Sequence, residues 1–107
     1  MSVAEVTVDE LATAMAAGAR VVDVREIGEF EGGHVPGAVH VALSTVPDRV
    51  EAFNGAGATY VICKSGARSR RACEFLAGQG VSTINVAGGT DGWVASGREV
   101  LVGSRSE

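Results

Sequence analysis

No apolar run in this 107-residue chain approaches the roughly 20 residues that a membrane-spanning helix needs. The stretch Met1-Ser2-Val3-Ala4-Glu5 has no basic region followed by an apolar one, so no secretory signal is expected. The expectation is a cytoplasmic protein without a membrane partner. Two cysteines ten positions apart do not make a disulfide framework, and in the cytosol both Cys63 and Cys73 are expected as free thiols. Two cysteines and two histidines without close pairing give no zinc signature, so no metal is expected. Aromatic residues are only 5% of the chain, which leaves Val, Ala, Leu and Ile to build the core and favours tightly packed α/β layers. Linkers, internal repeats and low-complexity tracts are also missing; the 15 glycines are dispersed at turns.

What is present suits one soluble globular domain with a single modest core: 46% hydrophobic and 21% charged residues. The net charge of −4 is uneven, −6 over residues 1–58 and +2 over residues 59–107. Four bases, Lys64, Arg68, Arg70 and Arg71, fall within eight positions. So few bases on so acidic a chain argue against nucleic acid and for a small anionic substrate.

Short β-type runs alternate with helical ones. Strands are predicted at Val3–Val8, Arg20–Val24, Ala38–Ala42, Thr59–Ile62 and Ser82–Val86. Helices are predicted at Asp9–Ala17, Glu26–Glu31, Val46–Phe53 with Ser44 as its cap, Ser69–Gln79 and Thr90–Ala95. Residues 102–107 form a polar tail, expected to fray from Gly103 onward. The alternation predicts a parallel sheet covered on both faces, with ligands beyond the carboxyl ends of its strands.

The run Cys63-Lys64-Ser65-Gly66-Ala67-Arg68-Ser69 occupies such an end. A thiol there meets the positive end of a helix and the converging N–H groups of a tight loop, with Lys64 and Arg68 adding charge. Such surroundings favour the thiolate, which is the nucleophilic form. Of the glycines, only Gly66 is expected to border the chemistry.

Four segments in order carry a resemblance: Val22-Asp23-Val24-Arg25-Glu26, Gly33-His34-Val35-Pro36-Gly37-Ala38-Val39-His40, the loop Cys63–Ser69, and Gly88-Gly89 with Trp93 and Gly97. Over residues 3–101 the chain resembles a single-domain rhodanese-like sulfurtransferase. One departure is Arg98 after Gly97, where the family often has proline. The resemblance implies a three-layer α/β/α fold around a mainly parallel five-stranded sheet. It implies that Cys63 accepts a sulfane sulfur as a persulfide and yields it to a thiophilic acceptor. Main-chain N–H groups of Lys64, Ser65, Gly66, Ala67, Arg68 and Ser69 would cradle the outer sulfur, while Lys64 and Arg68 bind an anionic donor such as thiosulfate. The acceptor would be cyanide or a thiol, which includes a protein thiol. No cofactor is implied.

Asp23 and Arg25 are expected to support the site rather than react. His34 and His40 are expected to be structural, because a thiolate already formed needs little base. Trp93 is expected to pack. Cys73 shares a helical face with Ala72 and Leu76, which makes it a core residue, the alternative being a resolving thiol. Two rival functions share the loop or the fold. Cysteine-dependent phosphatases and arsenate reductases place five residues between Cys and Arg, against four here, a tighter cradle for sulfur than for phosphate. Non-catalytic rhodanese-like binding modules often lose the cysteine, which this chain keeps.

Overall fold

Side chains alternate between the two faces of a strand. In β2 (Arg20–Asp23), Val21 and Val22 are both buried but belong to different apolar clusters. Ile62 and Val61 of β4 (Thr59–Ile62) divide in the same way. These two strands are therefore covered on both sides, the setting of a parallel sheet. The structure, a computed structural model, describes residues 3–106. With β1 (Ala4–Val6), β3 (Val39–His40) and β5 (Ile84–Val86) the sheet has five strands in the order β1-β5-β4-β2-β3, and every strand pairing is parallel.

One face carries α3 (Ala67–Gly78), whose Ala72, Cys73 and Leu76 pack on Val22 and Val61. Val46 and Phe53, from two short 3-10 helices at Leu43–Asp48 and Val50–Phe53, extend that cluster. The other face carries α1 (Val8–Ala16), α2 (Ile27–Gly32) and α4 (Gly89–Ala95) through Leu11, Phe30 and Trp93. This is the expected three-layer architecture. Each fully buried Val, Leu or Phe contributes about 1.5–3 kcal/mol to it.

The structure corrects three expectations. The first strand ends at Val6 and not at Val8. Thr7 accepts a hydrogen bond from the Glu10 N–H at 3.1 Å, and the Glu10 carboxylate accepts from the Thr7 N–H at 2.9 Å. This reciprocal capping box starts α1 early. Ser44 caps nothing and lies inside the first 3-10 helix, while the helix expected over 46–53 is two separate pieces. Pro47 lacks an N–H and disfavours α geometry at Val46, so no continuous α-helix forms through it.

The tail is also tied down through residue 106. His34 and Leu101 form an antiparallel bridge, the Gly103 N–H donates to the Glu31 carbonyl at 2.8 Å, and the Gly37 N–H donates to the Ser106 carbonyl. Its polarity suggested fraying, yet these bonds are made by main-chain groups that composition does not report. Glu107 lies outside the described residues.

Candidate active site

Cys63 directly follows the last residue of β4, the central strand, at its carboxyl end. The chain then turns through Gly66, whose φ of +115° lies in the region that favours glycine, and enters α3 at Ala67. That turn aims the Gly66 N–H at the Cys63 Sγ, 3.1 Å away. Ser69, in the first turn of α3, places its Oγ 3.2 Å from the same sulfur. Cys63 is buried, and burial pushes its thiol up. The Ser69 hydroxyl, with the N–H groups of Ser69, Gly66 and Ser65, outweighs that and brings the thiol below its ordinary value. Position at the amino end of a 12-residue helix acts in the same direction.

The loop is held from behind by α4. The Thr90 N–H and hydroxyl both donate to the Cys63 carbonyl, at 2.8 and 3.0 Å, and the Asp91 N–H donates to the Lys64 carbonyl at 3.0 Å. This close approach needs Gly89: a Cβ there would stand 2.5 Å from the Lys64 carbonyl oxygen and 2.6 Å from that of Cys63. Gly89 thus supports the loop from behind, while Gly66 is the glycine whose N–H faces the Cys63 sulfur. The Gly88-Gly89 pair was the visible signal; what it packs against was not.

Both loop cations have carboxylate partners. Arg68 makes a two-pronged pair with Glu29 of α2, at 2.8 and 2.9 Å, and both groups are about one-third exposed. The Arg68 hydrogen bonds, against the cost of burial, hold the Glu29 carboxyl at about 2. Glu29 in turn keeps Arg68 charged. Lys64 reaches Asp91 at 2.8 Å, with both side chains more than half exposed. Such an open pair is weak and easily exchanged. Sequence reasoning missed Glu29 and Asp91, because only the crossovers bring them to the loop.

Asp23 and Arg25 form a buried pair beside β4, with Arg25 Nη2 donating to Asp23 Oδ2 at 2.7 Å and to the Gly33 carbonyl at 2.8 Å. The Arg25 N–H also donates to Asp23 Oδ1 at 3.0 Å. The pair ties the end of β2 to the Gly33 turn. His34 is buried, stacks on Phe30 at 3.7 Å, and sets its ring nitrogens against the Phe30 and Arg105 carbonyls. His40 Nε2 lies against the Arg25 carbonyl at 2.6 Å. Neither histidine bonds to Cys63. Trp93 packs with Leu11 and Phe30, and its Nε1 donates to the Glu99 carbonyl at 2.8 Å. Cys73 lies in the core, where burial pushes its thiol up.

A thiol held by main-chain N–H groups at the carboxyl end of a central parallel strand defines the class: an α/β protein with an anion-holding cysteine loop. Within that class the Rhodanese-like domain family model matches residues 7–96, and the chain belongs to that family. It is 39% identical to the thiosulfate sulfurtransferase GlpE of Pseudomonas putida strain GB-1 over 80 residues, which are 74% of this chain and 73% of that protein. It is 31% identical to a sulfurtransferase of Allochromatium vinosum over 81 residues, covering 75% and 76% of the two chains. Among solved structures it is similar to a rhodanese-like domain protein from Staphylococcus aureus, with TM-score 0.78 and 33% identity over 84% of this chain and 90% of that one. These relatives support sulfur transfer as the general chemistry. Among the described residues no helix is long and apolar enough to cross a membrane.

Proposed function

We propose that Cys63 carries sulfur between a small anionic donor and a thiophilic acceptor in a cytoplasmic setting. The observation that carries this reading is the Cys63 sulfur itself, within reach of the Gly66 N–H and the Ser69 hydroxyl and brought below the ordinary thiol value. With thiosulfate as donor, the Cys63 thiolate attacks the outer sulfur. A new S–S bond forms to Sγ, the S–S bond of thiosulfate breaks, and sulfite leaves with the electron pair. The loop N–H groups from Lys64 to Ser69 then hold the terminal sulfur anion. Cyanide or a thiolate attacks that sulfur, and the Cys63 thiolate is released.

Asp23 and Arg25 keep the neighbouring strand end in place and take no part in bond changes. Lys64, in its exposed pair, is the cation free to turn to a donor. Arg68 is held more firmly by Glu29 and supplies a fixed positive field. The test is an intact mass after incubation with thiosulfate and removal of the donor. A gain of one sulfur atom, absent in Cys63→Ala, is expected. No gain with thiosulfate or with other sulfane donors overturns the reading.

A further inference from the structure

Counting donors around Ser69 gives a role to a residue no motif singled out. Asn85 of β5 is buried, and its Nδ2 lies 2.9 Å from Glu5 Oε2 and 3.2 Å from the Gly66 carbonyl oxygen. Both are acceptors only, so the amide nitrogen has to face them and the orientation of the group is fixed. Its Oδ1 is thereby turned onto Ser69 Oγ at 2.5 Å. An amide oxygen accepts and never donates, so Ser69 gives it the one proton its hydroxyl has. The same hydroxyl sits 3.2 Å from Cys63 Sγ, and a thiolate also only accepts. The Gly66 carbonyl, 3.2 Å from Ser69 Oγ, already receives Asn85 Nδ2 and the Arg70 N–H.

One proton cannot serve both Asn85 and an ionised sulfur. With Cys63 as a thiol, every group is satisfied: S–H donates to Ser69 Oγ, and the Ser69 O–H donates to Asn85. When the sulfur ionises, its proton leaves to solvent, the Ser69 proton swings to Sγ, and the buried Asn85 oxygen is left without a donor. We propose that Asn85 is a positioning residue that acts through Ser69, claiming its hydroxyl proton and so restraining ionisation of Cys63 in the unloaded protein. Once sulfur is added, the negative charge moves to the outer atom and the hydroxyl returns to Asn85.

Other charged groups around the loop are Lys64 itself, Arg68 and Arg70 of α3, Glu29 of α2, Asp23 and Arg25 at the end of β2, Glu5 of β1 and Asp91 of α4; among the described residues none hydrogen-bonds to Ser69.

The inference rests on Cys63 being the reacting sulfur, but its test needs no sulfur donor, so its failure is distinct from a failure of the sulfur-transfer reading. Iodoacetamide alkylation at pH 6 is followed by peptide mass, which separates Cys63 from Cys73. Asn85→Leu is expected to alkylate at Cys63 roughly three- to tenfold faster than the wild type, the worth of one hydrogen bond. Ser69→Ala is expected to slow it, and adding Asn85→Leu to Ser69→Ala is expected to change nothing. A rate unchanged or lowered by Asn85→Leu, or raised as much without Ser69 as with it, overturns the proposal. Should leucine at this buried position prevent folding, Glu5→Ala decides. It frees the amide from its carboxylate at the partly exposed rim, and about a twofold acceleration is expected. No acceleration there overturns the proposal.

Discussion

Cys63 and Cys73 are each 1% exposed and pack in the same apolar cluster, yet their thiols are pushed in opposite directions. Cys73 sits inside α3, where the surrounding N–H groups are already committed to the helix ladder. Burial outweighs the smaller lowering contributions there, the charge of Arg70 among them. Cys63 sits one residue past a strand, where a left-handed glycine releases N–H groups from any ladder and aims them at the sulfur. Burial is thus not what separates the lowered thiol from the raised one. The supply of uncommitted donors is, and that supply depends on where in the chain the secondary structure is interrupted.

The largest expected effect breaks the comparison outright. Cys63→Ala should abolish the gain of sulfur mass from thiosulfate, while Cys73→Ala should retain it; the reverse result would exchange the two roles. Next comes Gly89→Ala, whose Cβ collides with the carbonyls of Cys63 and Lys64. Displacing the loop should slow sulfur loading in single-turnover assays by about a hundredfold. Cys73 should stay as protected from alkylation as before.

A third measurement sharpens the contrast through pH. In the native protein at neutral pH, Cys63 should alkylate at least about tenfold faster than Cys73. The signs differ for stability. The lowered Cys63 contributes stability above the ordinary thiol value and loses it as pH falls through its folded value. The raised Cys73 contributes below the ordinary value and loses it as pH rises past that value. Urea midpoints in alkaline solution should therefore fall further for the wild type than for Cys73→Ala.

Smaller still is the Glu29–Arg68 pair. Its contribution is present above 4.5 and lost as pH falls to about 2, so the midpoints of wild type and Glu29→Gln should converge across that window. Convergence at higher pH would mean the pair does not hold Glu29 down. The smallest effect is expected from Lys64→Met, a change of less than about threefold in KM for thiosulfate, because an exposed pair is worth little. An unchanged KM would mean that Lys64 does not turn to the donor.

The features that were legible in the sequence are those written locally. Apolar runs of Val and Ile gave the doubly covered strands, and the sequence around Cys63 put a thiol, a glycine and two bases at the end of one of them. Asp23 and Arg25, two residues apart on one strand end, were readable as a pair. The capping box of Thr7 and Glu10 and the break at Pro47 were also written in the chain, and the boundaries near them were misjudged by giving propensity precedence over caps. Glu29, 39 positions from Arg68, and Asn85, 16 from Ser69, belong to another category. Parallel strands return to the same edge only after a crossover, so the residues that complete the loop come from distant segments whose local composition carries no mark of it.

Strand β1, at residues 4–6, pairs with β5, at residues 84–86, and lies at the edge of the sheet. During synthesis it leaves the ribosome well before β5, the strand it pairs with. Loop closure over such a span is entropically costly, and topologies rich in distant pairings fold slowly. The neighbouring strands β2 and β4 are closer in sequence and share the longest register. The pairing of β1 with β5 therefore has the largest span to close of any in the sheet.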